Sequence, residues 1–215
     1  MKFAASYSGG KDSIFAIYRA IQQGHMPILL LTTYNVDRNH SYSHALPEIV
    51  LHRVSESLGI PLLLIKTTDA DYAQNFENAL AHAKSLCAEA CVFGDIDIEG
   101  HRIWCSERCE NVGLASLHPL WGEDRKHIVY ECIDSGFVPN ITVVNTNHLS
   151  SDFLGQTLSR ETADRIAQQG ADICGEHGEY HTFVSAGPLF KQPVRFSFGA
   201  QVVNGEFASL PIQPE

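Results

Sequence analysis

The sequence predicts an α/β protein, with a mostly parallel, doubly wound sheet over residues 1–121 and a smaller α+β part over residues 122–215. Three observations lead there. Short apolar runs alternate with segments of helical period through the first 120 residues. A glycine pair at Gly9-Gly10 joins the first such run directly to a helical segment. Near Trp121-Gly122 the alternation stops, and the remaining chain mixes helical segments with extended ones.

The elements follow in order. Phe3 to Tyr7 is short and apolar, as a buried strand is. Ile14, Phe15, Ile17, Tyr18 and Ile21 then recur at helical spacing, with Gly24 placed as a C-cap. Pro27 to Thr33 reads as a second buried strand, and Tyr34 to Ser43, which has no period, as a loop. Leu46, Ile49, Val50, Val54 and Leu58 mark a second helix closed by Gly59. Pro61 to Lys66 is a third strand, and Phe76, Leu80, Ala83 and Leu86 mark a third helix. Cys91 to Asp95 is a fourth strand, residues 99–112 a fourth helix ended by Gly113, and Leu117 to Leu120 a short fifth strand. Beyond it, Glu123 to Ser135 is helical, Phe137 to Asn147 extended, and Thr157 to Gln168 helical. Val194 to Phe207 reads as a hairpin turning at Asn204-Gly205.

Bulk properties narrow the function. The chain has 215 residues, 44% hydrophobic and 19% charged, ordinary values for a globular protein with a real core. No stretch approaches the ~18 apolar residues of a membrane span, and residues 1–7 do not look like a signal peptide, so a cytoplasmic protein without membrane association is expected. A net charge of −10 with no basic stripe argues against nucleic acid as a partner. Self-association into a homo-oligomer is compatible with the sequence. The cysteines Cys87/Cys91 and Cys105/Cys109 come in two pairs with a three-residue gap, which would share a helix face if both members were helical. They lie in segments that read as helix and strand and not as a zinc knuckle, so we read them as reduced structural thiols.

The chemistry concentrates in three stretches. In the first, Gly9 and Gly10 permit a tight turn and close approach, Lys11 adds a positive charge, and Ser8 and Ser13 add hydroxyl donors at a helix N-terminus. That combination suits a phosphate. It is not the Walker loop, in which four residues separate the first glycine from Gly-Lys; here the two glycines are adjacent. The second stretch comprises Gly94-Asp95, His101-Arg102 and Trp104, then Pro119-Leu120-Trp121-Gly122. Asp95 falls at the carboxyl end of a strand, where it could hold magnesium or a substrate donor. The third, Gly175 to Val184 followed by Gly187-Pro188, gathers Glu176, Glu179, His177 and His181 around glycines. His181 suits proton transfer. A Glu/His metal site and a plain polar turn are the competing readings of that stretch.

Ser8-Gly9-Gly10-Lys11-Asp12-Ser13 resembles the PP-loop of the N-type ATP pyrophosphatases. Taken with the second and third stretches, in order over nearly the whole chain, it resembles the diphthine–ammonia ligase family. The resemblance implies a Rossmann-like N-terminal domain of adenine nucleotide α-hydrolase type and a distinct C-terminal part. It implies ATP and Mg2+ as cofactors, and a reaction in which ATP adenylates the carboxylate of diphthine on elongation factor 2 and ammonia displaces AMP. By resemblance Ser8, Gly9, Gly10, Lys11, Asp12 and Ser13 go to ATP, with Gly94 and Asp95 beside them and Asp12 as a magnesium contact. Glu176, Glu179 and His181 go to the acceptor and ammonia, as substrate contacts with catalytic roles; Lys11 and Asp12 are the other catalytic candidates. His44, His101 and Arg102 are further candidates for substrate binding. One departure is His177, which stands where the family commonly has glycine. A PP-loop enzyme acting on another small carboxylate or an RNA base, and a nucleotide-binding regulatory module without turnover, remain as alternatives. Product analysis separates the classes: a nucleotide-binding module yields no AMP, and an ATPase cleaving at the γ-phosphate would yield ADP.

Overall fold

The computed structural model describes residues 1–42 and 44–215. The chain divides into two compact units. One comprises Met1–Ser8, Asp12–Tyr42 and Gly59–Gly122; the other comprises Gly9–Lys11, Ser43–Leu58 and Glu123–Glu215.

The first unit is built on a mostly parallel sheet. Its strands are β1 (Lys2–Ser6), β2 (Met26–Asn35), β3 (His40–Ser41), β4 (Leu62–Thr67), β5 (Ala90–Val92) and β6 (Ala115–Leu117). The strands β4, β2, β1, β5 and β6 lie side by side in that order and run parallel, while β3 pairs antiparallel with the end of β2. Helix α1 (Lys11–Gln22) follows β1, α3 (Tyr72–Ser85) follows β4 and α4 (Glu99–Val112) follows β5. The apolar positions that predict α1 are those it buries: Ile14, Phe15 and Ile17 are fully enclosed. A core cluster joins Leu29, Leu31 and Ile65 of the sheet to Phe76 and Leu80 of α3 and to Cys105 and Cys109 of α4. Helix α4 ends at Gly113 in the left-handed conformation, as its position predicts.

Counting only the parallel strands in chain order, the sheet reads 3-2-1-4-5. The direction of winding reverses between β1 and β5. Such a reversal leaves a crevice outside the carboxyl ends of the two strands, where open α/β sheets take ligands.

The second unit holds a four-stranded antiparallel sheet, β10-β11-β7-β8, from β7 (Pro139–Asn145), β8 (Tyr180–Val184), β10 (Val202–Asn204) and β11 (Phe207–Ser209). A second pair joins β9 (Phe196–Phe198) to β12 (Ile212–Pro214). Helices α2 (Glu48–Leu58), α5 (Arg125–Asp134) and α6 (Arg160–Gln168) complete it. Helix α2, which chain order puts between two strands of the parallel sheet, is tied within this unit to the late chain: Lys191 N donates to Ser57 O at 2.8 Å, and Ser57 Oγ donates to Gln192 O. No helix among the described residues is long and apolar enough to cross a membrane.

Several sequence expectations are corrected. The segment after the second strand is not all loop: β2 runs on to Asn35, and His40–Ser41 pairs back onto it. The tail is not one hairpin from Val194 to Phe207. Its hairpin is β10–β11, turning after Asn204, while Phe196–Phe198 pairs with Ile212–Pro214. The fifth strand lies at Ala115–Leu117, two residues early. Cys87 and Cys91 share no helix face, because Cys87 has a left-handed φ of 71° past the end of α3 and Cys91 lies on β5. Cys105 and Cys109 do lie on one helix, buried as apolar side chains in the core.

Candidate functional site

In the first unit, the residues that flank the reversal between β1 and β5 are Ser8, Asp12 and Ser13 on one side and Gly94 and Asp95 on the other. Ser13 Oγ accepts from Ser8 N at 3.3 Å and from Ser8 Oγ at 3.1 Å, closing the start of the loop onto the first turn of α1. Asp12 lies half-buried in that first turn. Gly94 allows the exit of β5 to pass against the same turn. A Cβ on it would stand 2.8 Å from the Asp12 carbonyl carbon and 2.9 Å from Ser13 N, both backbone, which cannot give way.

Asp95 gathers a small polar group. His101 Nδ1 lies 3.6 Å from one carboxylate oxygen; His118 Nδ1 lies 3.7 Å, and Cys105 Sγ 3.6 Å, from the other. Burial, reinforced by the Asp95 charge, pushes the Cys105 thiol far above its usual range, so it stays protonated. His118 stacks on Phe93 at 5.3 Å and meets the edge of Trp121 at 6.1 Å. Arg102 stands 4.4 Å above the Trp121 ring and pairs with Glu99 at 2.7 Å. Arg102 is thus held by Trp121 and Glu99, and His101 is exposed. His118 is absent from the sequence-based candidates; the signal that could have found it is the polar ring set between a strand end and Pro119.

In the second unit, Gly9–Lys11 meets the chain around β8. Val184 N donates to Gly9 O at 3.0 Å, and Lys11 N donates to Thr182 Oγ1 at 3.1 Å. Lys11 is only 4% exposed; its Nζ donates to Cys174 O and lies 5.5 Å from the centre of the Tyr180 ring. Both glycines are demanded by close approach. Gly9 has φ +93°, and a Cβ there would stand 2.2 Å from Leu46 Cδ1; on Gly10 it would stand 2.3 Å from His44 Cε1. The His44 ring lies edge-to-face with that of His181, centroids 5.0 Å apart. His44 and His181, separated in sequence by most of the chain, are brought together against the glycine loop.

Two carboxylates shape the segment before β8. Asp172 accepts from Cys174 N at 3.2 Å, from Glu176 N at 2.9 Å and from Arg125 Nη1 at 2.6 Å. Glu179, 6% exposed, accepts from Asp172 N at 3.4 Å and from His177 N at 3.0 Å. Arg125 also reaches His177 Nε2 at 3.2 Å. Tyr180 Oη donates to Ile173 O at 2.5 Å. Glu179 therefore holds the loop's backbone with both oxygens, a positioning role, whereas Glu176 is held by its backbone N–H. Arg125 and Asp172 are site-shaping residues that sequence reasoning missed. Neither sits in a motif, and only the fold brings Arg125 to the loop.

Two histidines have depressed proton affinity. Burial is the largest cause for His44, and the neighbouring His181 and Lys11 add to it against one favourable contact with the Thr182 backbone. Burial likewise lowers His118, with Asp95 opposing. The folded chain resists protonating these rings, whereas the unfolded chain protonates them near pH 6.5. Their contribution to stability is whole above about pH 6.5 and is lost as the pH falls below it. The urea midpoint is expected to drop between about pH 7 and about pH 5, and to drop less in His44→Gln. An equal drop in that variant would remove His44 from the account.

The N-terminal domain of diphthamide synthase, as a family model, matches residues 1–116, and the C-terminal domain of diphthamide synthase matches residues 124–207. A Danio rerio protein named diphthine–ammonia ligase is 26% identical over 238 residues, covering 99% of this chain and 92% of its own length. A Homo sapiens protein of the same name is also 26% identical, covering 99% of this chain and 89% of its own. Among solved structures, one titled as a predicted subunit of tRNA methyltransferase from Methanocaldococcus jannaschii aligns over 90% of this chain and 100% of its own, with TM-score 0.48 and 14% identity. That likeness says nothing of substrate.

Proposed function

Because the chain belongs to the diphthamide synthase family and is a ligase, we propose that it uses ATP to adenylate the carboxylate of diphthine on elongation factor 2, then amidates it with ammonia and releases AMP and pyrophosphate. The observation that carries this reading is the meeting of the glycine loop with the Glu/His-rich segment within one unit. Lys11 is bonded to Thr182 and Cys174, and Gly10 packs on the His44 ring beside His181. A loop suited to phosphate and residues suited to proton transfer are then neighbours, as a reaction at the α-phosphate followed by acyl transfer requires.

A carboxylate is a poor acyl donor. Its attack on the α-phosphorus turns the acyl oxygen into a bridge to AMP, a good leaving group, while the bond to pyrophosphate breaks. Negative charge grows on the phosphates in that step. The backbone N–H groups of Gly9 and Gly10, the N-terminus of α1 and the Lys11 ammonium are electrostatic stabilisers for it. Ser8 and Ser13 are assigned to the same phosphates, with Gly94 and Asp95 at the nucleotide. Magnesium is a hard cation that favours oxygen ligands; the carboxylate of the half-buried Asp12 would suit it, and the ion would neutralise phosphate charge. Ammonia then adds to the acyl carbon. We assign Glu176 and His181 to the acceptor and ammonia, with Glu179 holding their loop, and His101 and Arg102 as outlying acceptor contacts.

The test is product analysis with Mg-ATP, ammonium and diphthine-bearing elongation factor 2. AMP and pyrophosphate released in step with amide are expected. ADP and phosphate as products would remove adenylation, and AMP formed equally without the factor would point to another acceptor.

A further inference from the structure

We propose that His44 is the proton acceptor of the amide-forming step, acting as a pair with His181. The inference rests on the ligase reading above and adds to it the group that takes the proton.

The His44 ring is set against the glycine loop so closely that a Cβ on Gly10 would lie 2.3 Å from its Cε1 and 2.8 Å from its Nε2. Its Nδ1 is out of solvent's reach and meets no hydrogen-bond partner among the described residues. A buried polar nitrogen without a partner is a standing cost, and groups retained at such a cost are commonly tied to function. The titratable groups acting on the ring are His181 of β8 and Lys11 of the loop, both of which disfavour its charged form, and the Thr182 backbone opposes them. Two imidazoles 5.0 Å apart, beside an ammonium, do not both carry protons cheaply. Burial and these neighbours therefore favour the neutral form of the His44 ring.

That is what the chemistry needs. When ammonia adds to the acyl adenylate, the new N–C bond places a positive charge on nitrogen, and the carbonyl electron pair moves to oxygen. The nitrogen must shed a proton before the carbonyl re-forms and AMP leaves with the electron pair of its C–O bond. Without that loss, ammonia is the better leaving group and the adduct reverts. A neutral imidazole accepts the proton, whereas an imidazolium could not.

The test compares wild type with His44→Gln in two half-reactions on diphthine-bearing elongation factor 2 with Mg-ATP: acceptor-dependent ATP–pyrophosphate exchange, and amide formation with ammonium or with hydroxylamine. Exchange is expected to change by less than about threefold, and amide formation with ammonium to fall about 10²-fold. Hydroxylamine is a much weaker base, and its adduct passes the proton to water unaided, so its deficit is expected to shrink to within about fivefold. Exchange serves as the readout of an intact loop, and His44→Asn, smaller than Gln, should give the same pattern. Equal losses with both nucleophiles, or a loss of exchange matching the loss of amide in both variants, would overturn the proposal in favour of a packing role. Exchange absent from the wild type would instead remove the ligase reading itself. Normal exchange with undiminished amide formation in the variants would remove only His44.

Discussion

Lys11→Ala is expected to lower acceptor-dependent AMP release by about 10³-fold or more, since it removes the one full positive charge of the phosphate loop from a step in which negative charge develops. The loop's sequence alone suggests that only a phosphate charge is lost. The structure adds a second consequence. Lys11 is 4% exposed, with its ammonium bonded to the Cys174 carbonyl and lying over Tyr180. Truncation leaves that carbonyl without this donor, at a cost of roughly 1–3 kcal/mol. The urea midpoint is therefore expected to fall together with activity, and the two readouts must be taken on the same preparation. AMP release that survives in a folded Lys11→Ala chain would sink the phosphate-loop assignment. If it falls only in proportion to the unfolded fraction, the lysine is structural.

The second large effect is expected at Glu179. Both of its oxygens accept partly buried backbone N–H groups, from Asp172 and His177, and alanine removes the acceptor from both. The loss is expected to be about 1–3 kcal/mol of stability, because water reaches these partly buried N–H groups and offsets part of the cost of an unsatisfied buried one. Amide formation is expected to fall further than nucleotide affinity, because the loop held by Glu179 carries Glu176 and leads into His181. Glu179→Gln keeps one acceptor oxygen and should recover part of the stability. Denaturant unfolding with a parallel ATP titration decides it. An alanine variant as stable as wild type would show that the carboxylate braces nothing, and a loss of ATP binding with stability unchanged would move the loop to the nucleotide.

These residues also mark where sequence reading reaches its limit. The parallel strands and their helices are legible because burial on both faces writes continuous apolar runs, and a one-sided helix writes a 3.6 period. Strands of two or three residues, such as His40–Ser41 and Phe196–Phe198, carry too few alternations to leave a pattern, and their pairing is set by what lies beside them. Candidate chemistry was legible where residue types cluster along the chain, as in Ser8 to Ser13 and Gly175 to Val184. It was not legible for Arg125 and Asp172, which are ordinary residues one at a time and become a brace only when 47 positions of chain fold back between them.

By itself, the sequence determined the fold class, the alternation of elements, the glycine loop and the family, since all of these rest on local spacing and on residues read in order. Only the tertiary structure decided that β1 and β5 are neighbours, that α2 joins the C-terminal unit, and that Lys11 meets Thr182 across 171 positions. It also decided that His44 lies against Gly10 and His181. The physical reason is that hydrogen bonds and burial between distant segments depend on which surfaces the fold brings together. A chain read one window at a time carries no record of that partner.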